Sequence, residues 1–307
     1  MNVAHTPREL ALAAKPVCAA IGVFDGLHRG HQAIIRQTLA EARAIGGSAV
    51  VITFDKHPNA IVAPAHAPPF IYSLPKKLQV LESLSVDALL LLRFDEAFSK
   101  KPAPDFIREL ARDFGRLHSL CVGGDFTFGY RRGGNLELLN QLGGELGFQT
   151  YGLPSVSVEG VTVSSTRIRD AIRAGHLVLA GELLGRPYSL EGKVVAGDRI
   201  GSQIGFPTAN LDTTNLVLPP HGVYAVHAQV NHRSYPAVLN IGHRPTLNSP
   251  RPRLQVEAHL LDVALDLYGA RLEVFFKAHL RPEQRFASLD ELKAQIARDI
   301  TAAKAVL

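Results

Sequence analysis

Apolar positions in the first 185 residues follow two alternating patterns. Short, nearly continuous apolar runs alternate with stretches in which apolar residues recur every three or four positions. The runs predict buried strands and the stretches predict amphipathic helices, and their alternation is typical of βαβ units around a parallel sheet. The predicted strands are 17–24, 49–54, 88–92 and 119–122, and the predicted helices are 33–45, 76–84, 106–114 and 136–146.

The pattern changes after Arg186 and Pro187. From there the chain has short runs rich in Val, Tyr and Thr, separated by turns that contain Gly, Pro or Asn. Such spacing predicts an antiparallel sheet or barrel. We therefore place a domain boundary near residue 185, which gives an α/β domain over 1–185 and a β domain over 186–307. The strands predicted in the second domain are 192–196, 222–230, 235–241, 254–261 and 271–280.

One helix is predicted at the C-terminal end. Ser288 and Glu291 have the spacing of a capping box, in which each of the two side chains accepts a hydrogen bond from the backbone N–H of the other residue. We expect the apolar face of this helix to pack on the barrel. The residues that recur on that face are Leu289, Leu292, Ile296 and Ile300.

The composition of the chain indicates the cellular compartment in which the protein is expected. Apolar residues make up 46% of the chain and charged residues 20%, as in soluble globular proteins, and no apolar run approaches the roughly 18 residues that span a bilayer. The apolar opening segment is interrupted by Glu9, Lys15 and Pro16, which argues against a signal peptide. Cys18 and Cys121 form no metal or disulfide pattern, so we expect two buried, reduced thiols and a cytoplasmic protein.

The net charge of +5 is spread thinly over both domains. Nucleic-acid-binding proteins concentrate Lys and Arg in a stripe or patch, and the sequence has no dense basic run. We therefore expect neither a nucleic-acid nor a membrane partner. Small anionic ligands fit the modest positive charge better. No sequence feature indicates an oligomeric state.

The segment IGVFDGLHRGH (21–31) carries the first candidate chemistry. His28 and His31 stand three residues apart at the entry to the predicted first helix, just after Gly22 and Gly26. If the helix begins here, both imidazoles lie on its first turn, beside free backbone N–H groups and the positive end of the helix dipole. Such a position binds anions and can stabilise the extra charge of a phosphoryl-transfer transition state.

Two other interpretations of the histidines are open. A metal site needs a third ligand, which Asp25 could supply, but HxGH lacks the Glu of the zinc motif H-E-x-x-H. Core histidines are disfavoured because Arg29 and Gly30 between them indicate an accessible turn. The phosphate interpretation is the one we prefer.

The segment SSTRIR (164–169) has complementary chemistry. Its three hydroxyls and two guanidiniums lie at a predicted strand-to-helix junction and suit the binding of a leaving pyrophosphate. The alternative is an ordinary helix N-cap. The chain contains neither G-x-x-x-x-G-K-[ST] nor a G-x-G-x-x-G after a strand, which disfavours P-loop NTPases and dinucleotide oxidoreductases. The remaining combination, HxGH followed by a basic hydroxyl segment, resembles the Rossmann-like nucleotidylyltransferase superfamily.

The second domain carries a separate candidate site. Gly201 and Gly205 allow the backbone to approach phosphates, and Thr208 and Asn210 point the same way if the segment is extended, offering oxygen ligands suited to Mg²⁺. An ordinary Gly-rich turn is the alternative. On the predicted strand 254–261, Glu257 shares a face with His259 and Leu261. A carboxylate there is a candidate general base for a hydroxyl nucleophile.

Taken in order, the motifs resemble the prokaryotic bifunctional riboflavin kinase/FAD synthetase family across nearly the whole chain. The resemblance implies an N-terminal FMN adenylyltransferase and a C-terminal riboflavin kinase, with ATP, riboflavin, FMN and FAD as substrates or products and Mg²⁺ with the ATP. The matching segments are AIGVFDGLHRGHQ, VITFDKHP, GGDFTFG, SSTRIR, LLGRPYSLEGKVVAGD, GFPTANL, GVYAV, LNIGHRPT, VEAHLLD and DLYG.

The same resemblance implies roles for individual residues. The ATP phosphates would lie at His28 and His31, the kinase metal near Thr208 and Asn210, and the catalytic base would be Glu257. The residues implied in nucleotide binding are Gly22, Phe24, Asp25, Asp125, the mobile loop of Ser164, Ser165, Thr166 and Arg167, and Gly201 and Gly205.

Three positions depart from the usual family pattern. Val23 stands where Asn is frequent, Ser202 where a basic residue is common, and His243 where Thr is usual. Alternatives to the bifunctional enzyme are a flavin-binding protein without turnover, an adenylyltransferase for another phosphorylated acceptor, and an RNA-associated enzyme, since HxGH also occurs in class I aminoacyl-tRNA synthetases. The last lacks support because the chain has no KMSKS-like loop and no aromatic and basic stripe.

Overall fold

A computed structural model describes residues 1–10, 12, 15–197, 201, 204–244, 253–263 and 265–307. The chain divides into two compact units, Met1–Ser165 and Thr166–Leu307. Ser202, one of the three departures from the family pattern, lies outside the described residues. Among the described residues, no helix is long and apolar enough to cross a membrane.

The first unit is built on a six-stranded, fully parallel sheet with helices. Its strands are β1 (Asn2–Ala4), β2 (Val17–Ile21), β3 (Ser48–Phe54), β4 (Ala88–Leu92), β5 (Leu117–Gly123) and β6 (Gln149–Leu153), followed by the hairpin β7 (Ser157–Val158) and β8 (Val161–Thr162). Its helices are α1 (Arg29–Ala44), α2 (Asn59–Val62), α3 (Leu74–Ser83), α4 (Glu96–Ser99), α5 (Ala103–Phe114) and α6 (Leu136–Leu146). Helix α7 (Ser165–Arg173) begins at the last residue of this unit.

The central strand β2 shows why the apolar runs form a parallel sheet. All five of its residues are buried, and they divide between two cores: Ala19 and Ile21 belong to one cluster and Ala20 to another. A strand covered on both faces reads as a continuous apolar run, which is the pattern of parallel sheets. The α/β fold predicted for this part of the chain is confirmed.

The strand order places a crevice at the end of β2. The order across the sheet is β1-β4-β3-β2-β5-β6, so the chain moves from β2 to β3 and β4 on one side and then returns to β5 on the other. The connections that leave β2 and β5 therefore diverge at the carboxyl edge of the sheet. Ligands of open α/β sheets bind at such a reversal.

The second unit contains α7, α8 (Leu177–Leu184), a closed antiparallel barrel and the C-terminal helix α9 (Leu289–Val306). The strands of the barrel lie in the order β10-β13-β12-β11-β14-β9. They are β9 (Ser189–Val195), β10 (Ala209–Asp212), β11 (Gly222–Val230), β12 (Arg233–Arg244), β13 (Arg253–Leu260) and β14 (Arg271–Arg281). The predicted barrel with a terminal helix is confirmed.

The alternation of side chains along β11 separates the inside of the barrel from the helix-covered outside. Tyr224, Val226 and Ala228 belong to the interior core, whereas Ala225 packs in a separate cluster with Ala303 of α9. Helix α9 therefore covers part of the outer face of the barrel, as expected. Ser288 caps it, accepting the Glu291 N–H at 3.2 Å.

The strand predicted over 17–24 and the packed face predicted for the last helix both differ from the structure. The strand predicted over 17–24 ends at Ile21, because Phe24 turns back with a left-handed φ of 50° and no longer pairs with the sheet. Leu289, expected on the packed face of the last helix, is 60% exposed because it lies at the first position of α9, where the helix has not yet reached the barrel-facing cluster.

Both cysteines are buried and free, as expected. Burial raises the pKa of the Cys18 thiol, and it raises the pKa of Cys121 to about 11. A thiol that stays protonated is a poor nucleophile. Both cysteines therefore act as core residues.

A buried ion pair ties α9 to the barrel. The guanidinium of Arg281 donates to both carboxylate oxygens of Asp299 at 2.8–3.0 Å, and the side chains are 17% and 6% exposed. Removing one partner of a buried pair leaves the other charge in a poorly solvated place. The pair between Lys304 and Asp262 joins the same two elements at 2.8 Å, but it is exposed.

We predict that Asp299→Ala lowers the free energy of unfolding of the barrel by about 3 kcal/mol, the lower end for a broken buried pair because Arg281 keeps some access to water. Asp262→Ala is the matched control, for which less than about 1 kcal/mol is expected. Native-state hydrogen exchange of barrel amides measures both. Equal losses for the two variants would contradict the importance of burial here.

Candidate active sites

The turn between β2 and α1 brings the two predicted histidines together. Phe24, Gly26 and Leu27 all have positive φ, so the chain reverses sharply after β2. His28 then caps α1 with an extended backbone, and its Nδ1 accepts the His31 N–H at 3.4 Å. The helix begins at Arg29, four residues earlier than predicted, which places both histidines at its first turn.

The two imidazoles form a stacked pair. Their ring centroids are 3.5 Å apart with an interplanar angle of 20°, and Phe24 meets His31 edge-on at 5.2 Å. His28 is only 6% exposed. A Cβ atom at Gly30 would lie 3.2 Å from Cε1 of His28, so glycine between the histidines leaves room for this ring.

Backbone contacts from three neighbouring segments hold the turn. Thr53 Oγ1 and Lys77 Nζ both donate to the carbonyl of Val23, at 3.0 and 2.9 Å. The carboxylate of Asp25 accepts the Ile71 N–H at 3.0 Å. The Val23 carbonyl makes two of these contacts, so they do not depend on the side chain at this position, where the resembling family frequently has Asn.

Lys77 is a buried cation close to this turn. Burial lowers the pKa of Lys77 to about 8, while the charge of Asp25 opposes the shift. Lys77 is 2% exposed and its ammonium group also lies 5.8 Å from the centre of the Phe70 ring. At neutral pH most molecules therefore carry a charged Lys77, although burial disfavours the charged form.

The other predicted nucleotide-binding residues lie around the same edge of the sheet. Phe24 and Asp25 are buried within the turn, and Gly22 N–H bonds to the carbonyl of Ile52 at 3.1 Å. Asp125 follows β5 and is exposed, and a Cβ atom at Gly123 would meet its Oδ1 at 3.2 Å. The carboxylate of Asp125 therefore folds back over the end of β5.

The SSTRIR segment is helical from its second residue. Ser165 Oγ donates to the carbonyl of Asp25 at 3.0 Å, which joins the start of α7 to the histidine-bearing turn. Thr166 and Arg167 belong to the second unit and lie in the first turn of α7. The expectation of a loop over these residues is wrong, because the helix starts at Ser165 directly after Ser164.

A cavity of about 770 Å³ lies beside the ends of β2, β3 and β4. Its size is in the range of sites for cofactors and drug-sized ligands. Aromatic rings line one part of its wall, and basic side chains line another part. The sequence patterns did not predict this pocket. The aromatic residues are Phe54, Phe94, Phe98, Phe106, Phe126, Phe128 and Tyr130, and the basic ones are Lys100, Lys101, Arg131 and Arg132.

The second site lies on the outer face of the barrel. Glu257 of β13 pairs across the ladder with Asn210 of β10 on one side and with Asn240 of β12 on the other. Directly paired residues of antiparallel strands project to the same face. The three polar side chains therefore form a row, in which Asn240 was not predicted.

A cavity of about 280 Å³ separates this row from α9. Gly201, Thr208 and Glu257 line it together, as do the apolar side chains of Leu292 and Ile296. Asn210 lies beside Glu257 in the ladder, and Gly205 is exposed with a φ of 93°. The predicted kinase residues are thus gathered in one part of the barrel.

His259 fixes the segment that carries Thr208. Its Nδ1 lies 2.7 Å from the carbonyl oxygen of Pro207, and because that oxygen can only accept, Nδ1 carries the proton. The ring of Phe206 stands edge-on to the imidazole at 5.9 Å. This contact positions the start of β10 against β13.

The chain matches two protein families, riboflavin kinase over residues 184–307 and FAD synthetase over residues 11–167. The bifunctional riboflavin kinase/FMN adenylyltransferase of Escherichia coli K12 is 44% identical over 97% of this chain and 93% of its own length. The protein of the same description from Pseudomonas fluorescens is 38% identical over 94% and 92%. A crystal structure described as a macrolide-efflux protein from Streptococcus pneumoniae has a TM-score of 0.81 at 29% identity, covering 98% of each chain.

We predict that Gly30→Ala separates the stacked imidazoles, because the new Cβ would press on the ring of His28. The helix itself gains stability, since Ala is favoured over Gly by about 1 kcal/mol. The ring ¹H and ¹⁵N NMR shifts of His28 and His31 report the change. Gly144→Ala, at a helical glycine with open space around it, is the control and should leave both signals in place.

Proposed function

The chain belongs to the family of bifunctional riboflavin kinase/FMN adenylyltransferases, and we propose that each of its activities uses one of the two sites described above. The enzyme phosphorylates riboflavin to FMN with ATP, and it transfers the adenylyl group of ATP to FMN, giving FAD and pyrophosphate. We assign adenylyl transfer to 1–185 and the kinase to 186–307. The family matches over 11–167 and 184–307 support this division.

The stacked histidine pair at the start of α1 carries the assignment of adenylyl transfer. The ATP phosphates would lie against the first turn of α1, with His28 and His31 beside them. A phosphate oxygen of FMN attacks the α-phosphorus of ATP in line, the new P–O bond forms, and the bond to the departing pyrophosphate breaks. No protein nucleophile is needed, so positioning and charge stabilisation provide the rate.

The hydroxyl and basic residues of SSTRIR would hold the pyrophosphate. Ser165 is already joined to the histidine-bearing turn through the carbonyl of Asp25. Ser164 and Thr166 each add a hydroxyl, and Arg167 adds a guanidinium that can form two parallel hydrogen bonds with phosphate oxygens. Gly22, Phe24 and Asp25 shape the nucleotide side of the crevice, and Asp125 stands at its β5 side.

The 770 Å³ cavity is the proposed position of the flavin in the first unit. Its Phe and Tyr rings offer flat apolar surfaces for the isoalloxazine ring, and aromatic pairs gain about 0.5–1.5 kcal/mol beyond the burial of area. Its Lys and Arg side chains favour an anionic substrate such as FMN over neutral riboflavin. The cavity includes Ile21 and Val23, so it opens beside the strand that leads to the histidines.

The kinase reaction would take place at the row of polar residues on the barrel. Glu257 accepts the proton of the riboflavin 5′-hydroxyl as the oxygen attacks the γ-phosphorus of ATP, and ADP leaves. The backbone at Gly201 and Gly205 provides close approach for the phosphates. Apolar residues of α9 on the opposite wall would contact the flavin ring.

Thr208 and Asn210 fit a Mg²⁺ ion by the chemistry of their donors. Hydroxyl and carboxamide oxygens are hard ligands, and Mg²⁺ usually binds through few protein groups together with phosphates and waters. The ladder pair of Asn210 with Glu257 puts the carboxamide next to the proposed base. When bound, the ion would offset the negative charge that develops on the phosphates.

The remaining expectations follow from these reactions. ATP, riboflavin, FMN and FAD are the ligands of the two sites, and we propose no nucleic-acid or membrane partner. Two buried free cysteines are typical of a reducing compartment, which supports a cytoplasmic enzyme. A flavin-binding protein without turnover is disfavoured, since the candidate base and the oxygen ligands lie together.

We predict that Glu257→Gln lowers riboflavin phosphorylation by about 10²- to 10⁴-fold, the usual contribution of general base catalysis. Adenylylation of added FMN should remain near the wild-type rate, because Glu257 lies in the barrel. Both rates are measured by chromatographic separation of riboflavin, FMN and FAD. Full kinase activity in this variant would remove Glu257 from the proposed role.

For the first site, we predict that His28→Ala lowers FAD formation from FMN by about 10²- to 10³-fold, as expected when a group that stabilises transition-state charge is lost. Phosphorylation of riboflavin by the same preparation is the internal control and should be unchanged. A parallel loss of both activities would indicate misfolding instead of a catalytic role for His28.

A further inference from the structure

Three potential metal ligands meet at one end of the barrel, and one of them, Glu283, also lines the 280 Å³ cavity of the proposed kinase site. His221 precedes β11, His243 lies near the end of β12, and Glu283 follows β14 by two residues. Strand β11 is paired with β12 on one side and with β14 on the other, both antiparallel. The start of β11 therefore lies beside the ends of its two neighbours, which brings the three side chains together.

The distances between the side chains suit a shared ion. One ligand atom from each residue lies within 4.8 Å of the other two. The rings of His221 and His243 have centroids 4.5 Å apart at 76°, and Nδ1 of His221 is 3.9 Å from Oε2 of Glu283. Tetrahedral bonds of about 2.0–2.1 Å place neighbouring ligand atoms about 3.4 Å apart, so small rotamer adjustments close the site.

The carboxylate is already held in place by the backbone. Oε1 of Glu283 accepts the His243 N–H at 2.9 Å, which leaves Oε2 on the side of His221. A Cβ atom at Gly242 would lie only 2.5 Å from Oε1, so glycine at this position lets the carboxylate lie over β12. Hydrogen bonds of this kind orient a ligand before the metal binds.

We propose that His221, His243 and Glu283 form a binding site for a divalent transition metal ion of the Zn²⁺ type. Two imidazoles and one carboxylate are a common ligand set for Zn²⁺ and related ions, with the fourth position open to water. Mg²⁺ prefers oxygen ligands alone, so the ion is chemically distinct from the one proposed near Thr208. The side chains of His221 and Glu283 are 40% and 37% exposed, which leaves the site accessible from solvent.

One of the three ligands, His243, is among the positions at which this chain departs from the pattern of the family that it resembles. His243 stands where the resembling family usually has Thr, and a Thr side chain cannot replace an imidazole as a ligand for Zn²⁺. The usual residue also provides a mild test variant. His243→Thr removes one ligand while keeping a residue that the fold accommodates in relatives.

The test uses the full-length chain, freed of metal with a chelator and titrated with Co²⁺ and then with Zn²⁺. The expected result is one tight site per chain, with visible Co²⁺ absorption bands of low-coordinate geometry that disappear as Zn²⁺ displaces the ion. His243→Thr and His221→Gln should each weaken binding by more than about 10- to 100-fold, the loss seen when only the partners of a ligand are removed. Unchanged riboflavin phosphorylation shows that each variant is folded.

Two controls separate this site from the other histidines. His66→Thr removes an exposed histidine in the first unit and should leave the affinity unchanged. His28→Ala alters the stacked pair and should also leave it unchanged. Equal affinity in the wild type and His243→Thr, or loss of the tight site in His28→Ala alone, would overturn the proposal.

Discussion

The geometry of the first site depends on the sharp turn between β2 and α1. Strand β2 ends at Ile21 and helix α1 begins at Arg29, so the chain must reverse its direction within seven residues. The positive φ angles of Phe24, Gly26 and Leu27 make this reversal possible. The turn follows β2, the strand at which the order of the sheet reverses, so its histidines lie at the edge where ligands of open α/β sheets bind. The backbone of this turn therefore places the groups that we propose for phosphate binding.

In the barrel, the register of the strands positions the residues of the proposed kinase site. Alternate residues of each strand fill the interior, and the residues between them face outward, where Glu257 stands in one row with Asn210 and Asn240. His259 holds the preceding segment in place through the carbonyl of Pro207. Each proposed reaction therefore has its own set of positioning contacts, and no residue is assigned to both.

Much of the fold could be predicted because apolar runs are bounded by turn-forming residues, and the bounds of β4, β11 and α6 agree with the prediction. The short strand β1 was missed, since three residues carry little periodicity and are held by pairing with β4. Likewise, Asn240 is one polar residue on an apolar strand, and only its pairing with Glu257 in the folded barrel indicates that it belongs to the proposed site. The aromatic cavity combines residues from several distant segments, which no local pattern reveals.

One chain carries both proposed sites, and we propose that they act in sequence on a flavin. A time course with riboflavin, ATP and Mg²⁺, with the flavins separated by chromatography, tests it most directly. If both sites act as proposed, the FMN concentration rises first and then falls as FAD appears. Accumulation of FMN without FAD would contradict the proposed role of the histidine site in adenylyl transfer. Binding of riboflavin without formation of any product would contradict the proposed roles of both sites.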